Sequence, residues 1–270
     1  FYVVPADIVM NDIRSQLEAG AQHISFGDPD FFNGPGHALK IVRALHREFP
    51  ALTYDATIKI EHIVKYPEEI KVLKETGCLF ILSAVEAVDD DILGYLDKGH
   101  TRADFINALA YLRDINIDLT PTFVAFTPWT TLDIYLELLR HIVELQLIES
   151  VAPVQLCIRL LIPAGSCILD IDNLDDMIGE FDAGILGHPW ANPDPRVDRL
   201  QQDVQAWVMQ AEADGLSRAD IFKGIWTMTH ASADLPAPEL DLQHTGKPIP
   251  RLSENWYCCA EPTCEQLVSF

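Results

Sequence analysis

Asp28 and Asp30 stand on either side of Pro29, directly after the strand-like stretch His23-Ile24-Ser25-Phe26 and Gly27. Two carboxylates at a strand end can accept hydrogen bonds from a cationic or hydroxylated ligand, and such strand ends form the polar edge of a βα-barrel. The same residues also make a turn or cap the next helix. Polar or turn residues close four further apolar stretches, at Lys59, Glu86, Thr127 and Pro163. Lys59 can neutralise a substrate carboxylate or be a solvated lysine, and Glu86 can bind a ligand or simply pair with Lys98. Near the C-terminus, Cys258, Cys259 and Cys264 follow Trp256 and Tyr257. Their thiols can donate electrons or hydrogen atoms, act as resolving nucleophiles or bind a soft metal, or they can be free thiols of a structural tail.

Two other patterns carry no chemistry. Asp170-Ile171-Asp172-Asn173-Leu174-Asp175 alternates like a calcium loop but lacks the turn glycine and the bidentate glutamate. The histidines form neither HxxxH nor HExxH, so a hydrolytic zinc site has no support.

Positioning these groups requires alternating elements, and the chain supplies them. Helices are predicted from Pro5 to just before Gly20, and at Gly36 to Phe49, Pro67 to Gly77, Thr101 to Ile115 and Thr131 to Leu145. Strands are predicted at His23–Phe26, Leu52–Ile60, Leu79–Ser83, Leu119–Phe126 and Pro153–Ile162. This order suits right-handed βα units around a parallel sheet. Gln155, Cys157 and Arg159 would share one face of the last strand. An acidic helical segment, 164–234, then carries Trp207 and Trp226 as packing anchors, and a proline-rich linker and tail occupy 235–270.

The 270 residues are 49% hydrophobic, enough for a large core. A formal charge of −22 argues against a nucleic-acid backbone or an anionic membrane as partner. No apolar run reaches the roughly 20 residues of a membrane span, and a cytoplasmic location is the default. Scattered cysteines do not make an extracellular disulfide scaffold.

Four motifs in order, Gly27-Asp28-Pro29-Asp30, Thr76-Gly77-Cys78 leading to Ser83-Ala84-Val85-Glu86, Leu96-Asp97-Lys98-Gly99-His100-Thr101, and Thr122 to Trp129, resemble the core of a radical S-adenosylmethionine (radical SAM) enzyme over residues 1–163. Cys258-Cys259-Ala260-Glu261-Pro262 resembles the tail of a subgroup named for a CUAEP or CCAEP motif. The resemblance implies an α/β fold, a partial (β/α)6 TIM-like barrel with a helical extension and a cysteine tail. It also implies reductive cleavage of SAM at a [4Fe–4S] cluster, giving methionine and a 5′-deoxyadenosyl radical that takes hydrogen from a substrate. An electron donor such as a flavodoxin or ferredoxin is the implied partner, with a small molecule or peptide as substrate. The family's CxxxCxxC cluster loop is absent from this sequence, so its ligands are expected upstream of Phe1 and none in this chain.

The resemblance assigns SAM contacts to Gly27, Asp28, Asp30, Ser83, Glu86 and Phe126. Asp28 or Asp30 would receive the methionine ammonium and Glu86, helped by Ser83, the ribose hydroxyls. Phe126 or Trp129 would meet adenine, although core packing serves aromatic residues equally well. Cys258, Cys259 and Cys264 would form a redox-active tail. Two other functions fit the residues: an aldolase-type barrel with Lys59 as Schiff-base nucleophile, and a thiol protein binding a soft metal or metalloid. The first predicts a borohydride-trappable lysine and no affinity for SAM, the second stoichiometric metal binding that survives loss of the barrel motifs.

Overall fold

A computed structural model describes residues 3–171, 174 and 177–249. Cys258, Cys259 and Cys264 lie outside them, as do Pro250 and part of the Asp170–Asp175 stretch. The described chain divides into two compact units, residues 3–85 with 103–121 and 249, and residues 86–102 with 122–248.

The first unit opens with α1 (Ala6–Glu18), which follows Pro5, carries Asp7 in its first turn and buries Met10 and Ile13. Strand β1 (His23–Phe26) is followed by a 3-10 turn (Phe31–Asn33) and by α2 (Pro35–Glu48). Pro35 suits the first helical position because its missing N–H has no intrahelical role there. Helix α2 buries Ala38, Ile41, Val42 and Leu45, the stripe that a 3.6-residue period produces.

Strand β2 (Thr53–Thr57) is shorter than predicted, and a helix α3 (Ile60–Lys65) begins where the strand reading still ran. Lys59 precedes α3 as its cap residue, and Ile60 and Ile63, one turn apart, are its buried side chains. The β-branched residues 58 and 60 read as strand, but the 60/63 spacing belongs to a helix. Helix α4 (Pro67–Glu75) leads into β3 (Cys78–Glu86), α6 (Arg102–Asp114) into β4 (Asp118–Phe123). The open sheet has the order β1-β2-β3-β4, and β1 pairs with β2 and β2 with β3 in parallel.

Register fixes the two faces. Ile24 lies opposite Tyr54 and Ser25 opposite Asp55. Tyr54 is fully buried, and its hydroxyl donates to the Leu73 carbonyl of α4 at 3.1 Å and meets Thr76 Oγ1 at 2.7 Å. Burial pushes this phenol well above its ordinary range. The face of Ile24, Tyr54 and Ala56 is therefore the helix-covered one. Gly77, at φ 106°, enters β3 so tightly that an added Cβ would stand 2.6 Å from the Leu52 carbonyl oxygen, a place for glycine alone.

In the second unit, α5 (Asp90–Tyr95) is capped by Asp89, which accepts from the Ile92 N–H at 3.0 Å. Helix α7 (Leu132–Glu144) is capped by Thr131 and buries Tyr135, Leu136, Leu139 and Ile142. The predicted strand Pro153–Ile162 is not one. Pro153 starts a 3-10 turn (Pro153–Leu156), and pairing is reduced to a single bridge between Phe126 and Arg159. The Gln155 side chain supplies the acceptor a neighbouring strand would have given, taking the Phe123 N–H at 3.1 Å.

Helices α8 (Pro195–Ala213) and α9 (Arg218–Ser232) belong to the second unit. The Trp207 ring lies over Gly224, where a Cβ would come within 2.4 Å. Trp226 packs against His230 with the rings tilted, centroids 4.4 Å apart, and donates through Nε1 to the Pro238 carbonyl. Residues 235–249 form neither helix nor strand, yet the Thr245 carbonyl accepts from the Glu149 N–H at 3.0 Å.

Candidate functional site

In the first unit the residues beyond β1 and β2 converge. Asp28 Oδ1 accepts from the Asp30 N–H at 2.9 Å, an Asx turn that fixes the loop; Asp28 itself is exposed. Asp30 is only 2% exposed. His62 Nδ1 lies 3.1 Å from its Oδ1, and Lys59 Nζ lies 3.8 Å from Oδ2. Asp30 thus ties the loop after β1 to α3, while Asp28 offers its carboxylate to solvent. His62 escaped sequence analysis because it lies 32 positions from its partner, on a short helix that was not predicted.

Gly27 is exposed, and an added Cβ would meet no atom within 4 Å. The chain's own packing leaves that space open. Beside it lies a cavity of about 480 Å³, mostly apolar, with Val3, Val4, Phe26, Gly27, Asp28 and His37 in its wall. Lys59 is 47% exposed and stands 3.5 Å from Glu61 as well as near Asp30.

Ser83 is fully buried, and its hydroxyl has no hydrogen-bond partner. Alternation along β3 puts it on the helix-covered face with Ile81 and Val85, opposite to the parity of Glu86.

In the second unit, Glu86 ends β3 with φ at 68°. A left-handed backbone costs a non-glycine residue on the order of 1 kcal/mol. Its carbonyl accepts from the Val124 N–H, and the Lys98 ammonium donates to Oε1 at 3.2 Å. Both side chains are less than one-fifth exposed, so this ion pair is largely withdrawn from water. The pairing with Lys98 open at the sequence level is therefore present.

Phe126 is fully buried against Tyr135, ring centroids 4.6 Å apart, which is core packing. Its neighbour Trp129 stacks on Tyr95 at 4.6 Å and packs on a cluster of Ala87, Ile92 and Leu93. Thr127 is fully buried, its Oγ1 3.0 Å from Thr130 Oγ1. Gln155 and Cys157 point into packed surroundings, and burial pushes the Cys157 thiol up to about 12. Arg159 lies over the Trp190 ring at 3.4 Å and donates to Asp198 at 2.6 Å.

Among the described residues, no group of three or more His, Cys, Asp or Glu side chains is placed to hold a metal ion. Nor is any helix there long and apolar enough to cross a membrane.

The fold is that of known solved structures. A cobalamin-dependent S-adenosylmethionine radical enzyme, OxsB, with aqua-cobalamin bound, superposes with a TM-score of 0.66 at 15% identity, over 85% of this chain and 42% of that one. The radical S-adenosylmethionine methyltransferase TsrM from Kitasatospora setae, with cobalamin and a [4Fe–4S] cluster bound, gives 0.51 at 12% identity, over 85% and 55%. The chain thus spans less than half of OxsB. No curated protein matches the sequence. Residues 1–141, which hold the loop of Asp28 and Asp30 as well as Glu86 and Phe126, match the radical SAM superfamily, and the chain belongs to that superfamily.

Proposed function

We infer that this chain is the SAM-binding portion of a radical SAM enzyme acting on a small-molecule or peptide substrate. The observation that carries the reading is the edge after β1, where Asp28 offers an exposed carboxylate beside the open space at Gly27 and a mostly apolar cavity. In a chain of this superfamily, that edge suits a ligand carrying an ammonium group on an apolar stem. Glu86 is the second candidate contact, a carboxylate whose free lone pairs can accept ribose hydroxyls while Lys98 neutralises its charge. Ser83 and Phe126 are both buried in packing and are the less favoured of the proposed SAM contacts.

A [4Fe–4S] cluster would supply the electron that cleaves bound SAM to methionine and a 5′-deoxyadenosyl radical. The described residues offer no ligand set for that cluster, and this chain's own share is binding, orientation and exclusion of water. An electron donor of the flavodoxin or ferredoxin type completes the proposal. The tail cysteines Cys258, Cys259 and Cys264, in a CCAEP-type sequence, are proposed to act on turnover rather than on SAM binding.

The aldolase reading fits less well. Lys59 lies half-exposed between two carboxylates, whereas a Schiff-base lysine needs a desolvated apolar pocket or a cationic neighbour. The deciding experiment is anaerobic reconstitution of the full-length protein with iron and sulfide, followed by SAM and a strong reductant. Release of 5′-deoxyadenosine supports the proposal. A fully loaded cluster that leaves SAM intact overturns it.

A further inference from the structure

The face of the first unit's sheet opposite Tyr54 carries a polar cluster that the proposed SAM contacts do not use. His23 and Ser25 of β1 lie opposite Thr53 and Asp55 of β2, on the face turned away from Tyr54 and α4. Ser25 Oγ donates to Asp55 Oδ2 at 2.6 Å, and His23 Nε2 lies 2.9 Å from the same oxygen. His23 Nδ1 is 2.8 Å from Thr53 Oγ1, and its ring stacks on Phe80 at 6.1 Å. The Asp55 and His23 side chains are 11% and 10% exposed, whereas Ser25 is open to solvent.

The Ser25 hydroxyl hydrogen is spent within the cluster. Ser25 donates to Oδ2, His23 Nε2 faces the same oxygen, and His23 is held at its other nitrogen by Thr53. Among the described residues nothing bonds Asp55 Oδ1. The acceptors left unspent are the lone pairs of the exposed Ser25 hydroxyl and the second carboxylate oxygen of the mostly buried Asp55. Short charge-assisted bonds of this kind fix side chains that would otherwise rotate freely. A carboxylate held at one oxygen, with its other oxygen left unspent, is built to take a further donor.

The geometry points to a substrate-anchoring site at Ser25 and Asp55, positioned by His23 and Thr53, for a substrate group that donates hydrogen bonds, an ammonium or a hydroxyl. The inference rests on the radical SAM reading for the molecule that would carry this group, but the site itself needs neither SAM nor a cluster to bind it. A basic or polyhydroxylated substrate also suits a chain of charge −22, whereas an anionic one is disfavoured.

The test uses the 270-residue chain labelled with ¹⁵N-histidine, titrated separately with methylammonium, glycerol and acetate while the His23 ring signals are followed by NMR. Saturable shifts with methylammonium assign the donor as a cation, and saturable shifts with glycerol assign it as a hydroxyl; acetate, an acceptor, is expected to give none. Asp55→Asn should weaken the binding by about tenfold or more, the effect of losing a charge-assisted bond. Ser25→Ala, at an exposed position, should weaken it by about threefold. His23 signals that respond to neither donor, that respond equally to acetate, or that respond unchanged in a folded Ser25→Ala chain overturn the site. Because this readout is independent of 5′-deoxyadenosine formation, its failure leaves the SAM reading standing, and failure of SAM cleavage leaves the site standing.

Discussion

Glu86 holds its backbone in the left-handed region, at φ 68°, and its carboxylate 3.2 Å from the Lys98 ammonium. The strain and the ion pair act on one residue, and together they fix where the carboxylate stands at the end of β3. Lys98→Ala leaves a mostly buried carboxylate without its cation and should lower stability by about 1–3 kcal/mol, read as a lower midpoint in urea. Glu86→Gln keeps the shape and removes the charge. In the reconstituted full-length protein it should weaken SAM binding by about tenfold or more, and unchanged affinity would assign the pair to the fold alone.

Two glycines should respond oppositely to alanine. Gly77→Ala forces a Cβ to 2.6 Å from a backbone oxygen at φ 106°, and it should destabilise by more than about 1 kcal/mol. Gly27→Ala meets open space without a left-handed backbone, so stability should hold or rise by about 0.5 kcal/mol. If SAM passes close to Gly27, the same substitution weakens SAM binding in the full-length protein. Thermal melts of the two variants, beside a binding isotherm for Gly27→Ala, separate the effects.

Asp30 and His62 should behave as a coupled pair. His62→Ala strips the buried Asp30 carboxylate of its nearest nitrogen, and Asp30 Oδ2 already lacks a hydrogen bond. The expected cost is about 1–3 kcal/mol. Asp30→Asn in the same background removes the stranded charge and should restore part of the loss, so the double-mutant cycle should be non-additive by more than about 0.5 kcal/mol. Additive losses would show that the two side chains do not support each other.

How legible this was from sequence follows from the range of each interaction. Strand β1 was readable to the residue, since alternation and the Gly27–Asp30 turn are local signals. The helix-covered stripe of α2 was readable for the same reason. Helix α3 was not, because Ile58 and Ile60 carry β-propensity and only tertiary contacts decide among short elements. The stretch 153–162 was misread because nothing in it announces that Gln155 will use its side chain where a strand would use its backbone. Asp28 and Asp30 were singled out together, yet their division into one exposed and one buried carboxylate depends on His62, a partner no local pattern reveals. Ser83 lay on the helix-covered face, which strand parity alone cannot label until one neighbour's contacts are known.

The cysteines give a prediction with a worked sign. Burial disfavours the thiolate, so Cys157 rises from 9.0 to about 12, and Cys78 is raised as well. Between those values the folded chain keeps the Cys157 proton that the unfolded chain loses. Its contribution to stability is therefore intact below about pH 9 and is lost as the pH rises toward about 12. At pH 8 an alkylating reagent should modify exposed Cys167 while sparing Cys78 and Cys157, mapped by peptide mass spectrometry. Adding urea should bring the two protected thiols to the reactivity of Cys167. The same digest reports Cys258, Cys259 and Cys264. If an oxidant protects any two of them from label while Cys167 stays reactive, the tail forms a disulfide and a redox role in turnover gains support. If all three stay reduced and unreactive, that role is excluded.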